Sequence, residues 1–381
     1  MRIAVIGTRG FPHVQGGIEK HCEHLYPLLA RKGCEVVVYC RKPYMGADRP
    51  FTYKGVSMVP LPCPRNKYFE TFFHTLIAVF AAYRIKPDIL HVHAIGPSFF
   101  APLARLLGMK VVVTHEGPEY RRKKWGAAAK AFLRCSEYLG CRFSQCIIAV
   151  AEYIAVMVRR KSAKEVVVIP NGIDLPHPVR RKKMVERFGL KSGKYVLAVG
   201  RFVPEKGFSD LMSAYGLLLR KNGRFSDWKL VIVGDADHED RYSLSLKRNA
   251  GSYSRIVLTG VLSGEELHEI YSHAGLFVIP SYYEGLPHTL LEAMSFGLPC
   301  LASDIKAHHN LGLPRSRFFP PGDISMLARK LERSVGVPLA GTEKMRQVSR
   351  ITRNFNWEDI ADRTLKVYNR VLNGKKNTSL H

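Results

Sequence analysis

The chain opens on an apolar run, Arg2-Ile-Ala-Val-Ile6, that breaks at Gly7. Runs of this kind recur along the sequence. In the first half they fall at 2–6, 35–39, 57–60, 88–92, 110–114, 146–150 and 166–169. In the second half they fall at 195–199, 229–234, 255–259, 276–280 and 299–302. Between them apolar positions fall on one helical face, as at Ile18, Leu25, Leu28 and Leu29. Continuous apolar strands alternating with amphipathic helices predict parallel α/β units, because a parallel strand needs a crossover that also covers the sheet. Each half holds enough strands for a sheet of Rossmann-like size. Leu175-Pro-His-Pro-Val-Arg-Arg-Lys-Lys183 combines two prolines with a basic run and reads as the link. The expected division is therefore an N-terminal domain over 1–178, a C-terminal domain over 179–354 and a terminal helical segment over 355–381. In that last segment Trp357, Ile360, Ala361, Leu365 and Tyr368 form a helical stripe. In open α/β sheets, ligands bind beyond the carboxyl ends of the strands.

Composition narrows the picture in three ways. The apolar share of 46% is that of a globular protein. No apolar run reaches the roughly 18 residues of a membrane span. The N-terminus reads as a buried strand and not as a signal peptide. Eight cysteines are scattered with no Cys-x-x-Cys pair, which argues against zinc or a disulfide framework and for a reducing compartment. The charge is the outlier: 58 basic residues face 32 acidic ones. Residues 1–180 carry 27 basic and 12 acidic, a net of +15, and residues 181–381 carry 31 and 20, a net of +11. Both halves are basic, which implies either an anionic partner or a charge that serves solubility. Tyr120–Arg134 holds six cations with Trp125, Phe132 and Leu133, and Lys67–Leu76 is strongly aromatic. Together they suit an anionic bilayer surface; a solvated face and a core helix fit them equally. Nucleic acid is disfavoured, since no reader motif is present.

The strongest chemical signal is Glu284-Gly-Leu-Pro-His-Thr-Leu-Leu-Glu292. Eight helical positions span about 12 Å. A glycosidase pair sits closer, about 5–9.5 Å apart, so these carboxylates suit two ends of one extended polar ligand. Gly285 and Pro287 interrupt the chain just before the helix that carries Glu292. Backbone N–H groups near His288, Thr289 and Leu290 would then face an anion between the two carboxylates. Carboxylate, phosphate site, carboxylate complements a nucleotide-diphosphate sugar. The plainer alternative is one capping and one exposed glutamate. In the first βα loop, Gly16-Gly17 precedes a helix and lets backbone approach a ligand closely. Arg201 and Lys206 follow a buried strand, where two fixed cations could stabilise charge on a departing diphosphate without a metal; a surface pair with Glu205 is the alternative. His115 ends a strand, as do His91 and His93.

These motifs resemble those of the retaining, GT-B-fold glycosyltransferases of family 4, in order and from Ile3 to Tyr368. The carriers are Gly7-Thr-Arg-Gly-Phe-Pro, Gly16-Gly-Ile-Glu19, Thr114-His-Glu-Gly-Pro-Glu-Tyr120, Pro170-Asn-Gly-Ile-Asp174, Gly200-Arg201, Glu205-Lys-Gly207 and the Glu284/Glu292 pair. The first half looks most like bacterial enzymes of surface-polysaccharide assembly. Ala151 stands where members often carry serine. The resemblance implies two Rossmann-like domains facing an interdomain cleft, with the last helix crossing back to the first domain. It also implies transfer of a sugar from a nucleotide sugar to a saccharide or lipid-linked acceptor, with retention and without cofactor or metal. By the same resemblance His115, Arg201, Lys206 and Glu284 are catalytic. Gly16, Gly17, Arg201, Lys206, Glu284, Gly285, His288, Thr289, Leu290 and Glu292 bind the donor, and the expected location is the cytoplasmic face of the membrane. The segment at Asn171 reads as a hinge. Gly234-Asp235 and Thr259–Val261 would wall the base. An epimerase of the same fold, or a non-catalytic nucleotide-sugar binder at the membrane, are the alternatives.

Overall fold

A computed structural model describes residues 1–374 except Gln15, Arg65, Lys67, Tyr68, 122–124, Leu175, 221–224, Ser226 and 237–238. Two compact units emerge: Met1–Gly172 with the chain from Phe355 onward, and Ile173–Asn354.

In the first unit the strands are β1 (Arg2–Ile6), β2 (Glu35–Arg41), β3 (Phe51–Tyr53), β4 (Val56–Leu61), β5 (Ile89–His93), β6 (Val111–His115), β7 (Cys146–Ala149) and β8 (Glu165–Val168). Their order across the sheet is β3-β4-β2-β1-β5-β6-β7-β8. All pair in parallel except β3, which is antiparallel to β4 at one edge. The chain winds outward from β1, then returns to add β5 on its other side. That reversal opens a crevice at the carboxyl ends of β1 and β5. The two strand ends touch closely: a Cβ on Gly7 would run into the His93 carbonyl, and Gly7 has φ +98°.

The second unit holds β9 (Tyr195–Val199), β10 (Lys229–Val233), β11 (Ile256–Leu258), β12 (Leu276–Ile279), β13 (Cys300–Ser303) and β14 (Phe318–Phe319). Its sheet is parallel throughout, in the order β11-β10-β9-β12-β13-β14. Here the reversal lies between β9 and β12. One buried cluster joins Val196, Ala198, Leu230, Ile232 and Val278 to helix residues Phe208, Leu211, Leu327 and Leu331.

The final helix, Trp357–Asn373, belongs to the first unit. Asn356 caps it, accepting from the backbone N–H of Glu358 at 2.8 Å and of Asp359 at 3.3 Å. Its Ile360, Val367 and Tyr368 share a core with Ile3, Val5, Leu25 and Tyr26. Trp357 stacks on His24 at 4.8 Å and covers Gly172, where a Cβ would run into the indole. Asn171 donates to Glu116 Oε2 at 3.3 Å. These contacts fasten the chain to the first unit as far as Gly172. Ile360→Ala should cost about 2–5 kcal/mol, as for an aliphatic side chain removed from a packed core; urea unfolding of the full chain reads this.

Candidate active site

The second unit gathers its candidate residues at the β9/β12 reversal. The loop after β9 carries Arg201 and ends in a single turn, Pro204–Lys206, closed by Gly207 at φ +66°. A Cβ on Gly207 would fall onto the Pro280 carbonyl, so a side chain there would push this loop off the one after β12. The two loops are joined further by the Tyr282 N–H donating to the Glu205 carbonyl at 2.8 Å and the Tyr282 hydroxyl donating to Asp210 Oδ2 at 2.6 Å. Across this seam Lys206 Nζ meets Glu284 Oε1 at 2.6 Å. Ser281 Oγ donates to the same oxygen at 2.6 Å.

Lys206 and Glu284 thus form one ion pair. The alternative partner weighed from the sequence, Glu205, instead contributes its backbone carbonyl to Tyr282. A Cβ on Gly200 would lie 3.3 Å from Lys206 Cε, so the lysine stem runs over bare backbone. Burial opposes charge on Glu284, but the attraction of Lys206, hydrogen bonds from Lys206 and Ser281, and the nearby His308 outweigh it, holding the carboxyl below the usual range. A depressed carboxyl contributes stability that is fully present above the unfolded-state pKa, about 4.3, and lost as pH falls through the folded value. Glu284→Gln should therefore flatten the acid limb of a stability-versus-pH curve taken by urea unfolding from pH 6 to 3. Glu137, also held down against its own burial by His115 and Lys161, leaves a residual slope.

Glu292 sits one helix further on. The helix His288–Ser295 starts at Pro287, which has no side-chain cap, and turns Leu290, Leu291, Ala293 and Met294 into the core. Gly285, His288 and Thr289 are half-buried around its start. The Tyr271 hydroxyl donates to Glu292 Oε2 at 3.1 Å, and its ring stacks on Phe296 at 5.3 Å. Burial first, and Glu292 second, keep that phenol far above its usual pKa, so it remains a donor. Arg201 is half-buried in the loop after β9. Gly234 and Gly260 pair across the ends of β10 and the segment after β11.

The first unit keeps its own candidates. Gly16, at φ +149°, precedes the helix Gly17–Arg31. A Cβ on Gly16 would strike the Glu19 carboxylate, which is buried and paired with Arg9 at 3.2 Å. His115, expected to face a ligand crevice, is 1% exposed, and both its ring nitrogens have partners inside the unit. The Gly117 N–H donates to Nδ1 at 3.1 Å, so Nε2 carries the proton and donates to Glu137 Oε1 at 3.0 Å. His91 and His93 are buried too. Tyr26 Oη lies 2.6 Å from His93 Nε2 and 3.0 Å from His91 Nδ1, and Tyr368 Oη lies 2.6 Å from His91 Nδ1. Burial holds His93 down at about 3. Through Tyr368, His91 ties the last helix to this sheet.

The sequence reading missed Tyr271, Ser281, Ser303 and His308. Ser281 stands three residues before Glu284, a local signal that was available. The others approach only through the fold. Phe72 of the helix Glu70–Arg84 packs against Phe100 at 4.9 Å, while Phe69, Phe73, Phe80 and Tyr83 are exposed. The cations at 122–124 lie outside the described residues. Among the described residues no helix is long and apolar enough to cross a membrane. Among them, too, no group of three or more metal-ligating side chains is assembled.

Comparison with known proteins agrees with this architecture. Residues 15–177 match the family described as Glycosyltransferase Family 4, and residues 180–354 match Glycosyl transferases group 1. A glycogen synthase of Mycobacterium tuberculosis is 26% identical over 99% of this chain and 96% of its own. The UDP-Gal:alpha-D-GlcNAc-diphosphoundecaprenol alpha-1,3-galactosyltransferase of Escherichia coli is 25% identical over 78% of this chain and 80% of its own. Among solved structures, sucrose-phosphate synthase from Thermosynechococcus elongatus superposes with a TM-score of 0.84 at 24% identity, covering 98% of this chain and 100% of that one. With two Rossmann-like units, a paired cation and carboxylate at the second sheet's reversal and both halves matched, the chain belongs to the family-4-like glycosyltransferases of GT-B fold.

Proposed function

We propose that this glycosyltransferase moves a hexosyl unit from a nucleotide-diphosphate sugar to a saccharide or lipid-linked acceptor, with retention and without a metal. The observation that carries this reading is the Lys206–Glu284 pair at the β9/β12 reversal, with Glu292 one helix away. In this reading Glu292 accepts from the ribose hydroxyls. The diphosphate lies at the start of the helix His288–Ser295, beside Gly285, Thr289 and Leu290. Arg201 and Lys206 stabilise charge on the departing nucleotide. Glu284 and His288 meet the sugar. Gly16 and Gly17 offer backbone to donor phosphate or acceptor. The resemblance assigns His115 a catalytic role near the sugar; its ring is held by Glu137 and Gly117. The donor phosphate serves as the base for front-face attack, so no protein nucleophile is named.

Transfer from a panel of nucleotide sugars, with the product's anomeric configuration read by proton NMR, tests this directly. The product is expected to keep the donor's configuration, and EDTA is expected to leave the rate nearly intact. Inversion, or loss of transfer restored by magnesium or manganese, contradicts it.

The acceptor reading extends to a peripheral site on an anionic membrane. It is supported by the +26 net charge and by the exposed aromatics Phe73 and Phe80 of the helix Glu70–Arg84, with Phe69 exposed at its N-cap. Liposome sedimentation should show recovery on anionic vesicles that falls with salt. Equal recovery on neutral vesicles removes the membrane reading.

A further inference from the structure

His308 lies in the short helix Lys306–His309 just beyond β13 and is fully buried. Its Nδ1 stands 2.8 Å from the Ser303 carbonyl. A carbonyl only accepts, so Nδ1 carries the proton. Burial, opposed by the nearby Glu284, pushes the ring's pKa down to about 4, and the imidazole is neutral near pH 7. Nε2 therefore presents a lone pair and no hydrogen. It has no hydrogen-bond partner among the described residues. An unmatched buried acceptor is rare and points to a ligand or a switch.

The ring belongs to the Glu284 cluster. Ser303 Oγ donates to the Ser281 carbonyl at 2.5 Å, and Ser281 Oγ donates to Glu284 Oε1 at 2.6 Å. Glu284 and Lys206 both act on His308 electrostatically. Lys206 donates to Glu284. Two acceptors, a carboxylate and a bare imidazole nitrogen, thus serve one corner of the reversal. A phosphate could satisfy neither, because it brings acceptors only. A ring bearing several hydroxyl groups could satisfy both.

We infer that His308 Nε2 accepts a hydroxyl hydrogen from the sugar ring of the donor and helps set which sugar is taken. This rests on the donor reading above and deepens it.

Two substitutions separate the ring's two nitrogens. In His308→Asn the amide nitrogen can still donate to the Ser303 carbonyl, but nothing replaces Nε2. In His308→Gln the side-chain oxygen can reach the Nε2 position. Calorimetry of the full chain would compare UDP and GDP with UDP-glucose, UDP-galactose, UDP-N-acetylglucosamine and GDP-mannose. For the nucleotide sugar that binds best, His308→Asn should lose about tenfold in affinity, the worth of one neutral hydrogen bond. Affinity for the free nucleoside diphosphate should stay within about twofold on the same ground, and His308→Gln should recover part of the loss. Nitrogen-15 spectra of the wild-type histidines give a readout that needs no variant: the Nε2 resonance of His308 should move with the nucleotide sugar and not with the nucleoside diphosphate. A folded His308→Asn that binds the sugar nucleotide as wild type does, or loses both ligands alike, overturns the inference. So does an Nε2 resonance unmoved by a bound nucleotide sugar. A wild-type protein that binds none of the nucleotide sugars overturns the donor reading itself, and this inference with it.

Discussion

Lys206→Ala is expected to lower turnover by about a hundred- to a thousandfold, the usual cost of removing a donor aimed at charge that develops in the transition state. Its ammonium is held by Glu284 at 2.6 Å and its stem rests on Gly200. It is therefore pre-positioned, and under the proposed mechanism it would meet charge on a departing nucleotide without reorganisation. The fall should appear in kcat, with KM changing less, because the charge it meets grows during reaction. A purely structural ion pair makes a different forecast. Removing one member would then be harmful and removing both nearly harmless. Lys206→Ala/Glu284→Gln would regain activity if the pair were only a clasp. It should stay inactive if the ammonium stabilises the leaving group. Arg201→Ala should fall in the same direction.

Glu292→Ala should weaken binding of the free nucleoside diphosphate by about 1.5–3 kcal/mol, the worth of hydrogen bonds to a charged group. Glu284→Gln should leave that affinity near wild type and lower affinity for the intact nucleotide sugar. The structure sharpens the control. Glu284 is clasped by Lys206 and Ser281, so alanine there would disturb the lysine, whereas glutamine keeps the shape. Glu292 is held by the Tyr271 hydroxyl alongside its place on the helix, so Tyr271→Phe should reproduce a small part of the Glu292 loss. Calorimetry with both ligands reads all three variants. Equal loss of both ligands in Glu284→Gln would end the division of labour between the two carboxylates.

Much of the fold was legible because buried parallel strands announce themselves as apolar runs. Each expected strand is present to within a residue or two, from Arg2–Ile6 to Cys300–Ser303. The two missed strands are short and sit on edges. Among the described residues Phe51–Tyr53 pairs only with Val56–Leu61, across the Lys54-Gly55 turn, and Phe318–Phe319 is two residues long. The site was legible wherever its residues were local. Glu284, Pro287 and Glu292 lie in one stretch, and the helix starts where Gly285 and Pro287 require. What the sequence could not show was convergence. Lys206 and Glu284 are 78 positions apart and meet because β9 and β12 are neighbours at the reversal. Tyr271 reaches Glu292 across β12, and His308 comes in from the end of β13, the neighbour of β12. His115 ends its strand as expected, but Glu137 comes from a helix further along the chain, and only packing shows that it takes up the ring's Nε2 proton.

In the proposed function the second unit grips a nucleotide-diphosphate sugar lengthwise, ribose at Glu292 and sugar at Glu284. The most direct measurement is a crystal structure with the nucleoside diphosphate, among UDP, GDP, ADP and TDP, that raises the melting temperature most. Ribose hydroxyls are expected within hydrogen-bond reach of Glu292, with the diphosphate at the start of the helix His288–Ser295. The Lys206 ammonium should stand between that diphosphate and Glu284. A nucleotide bound with its ribose on Glu284, or bound away from the β9/β12 reversal, would contradict it.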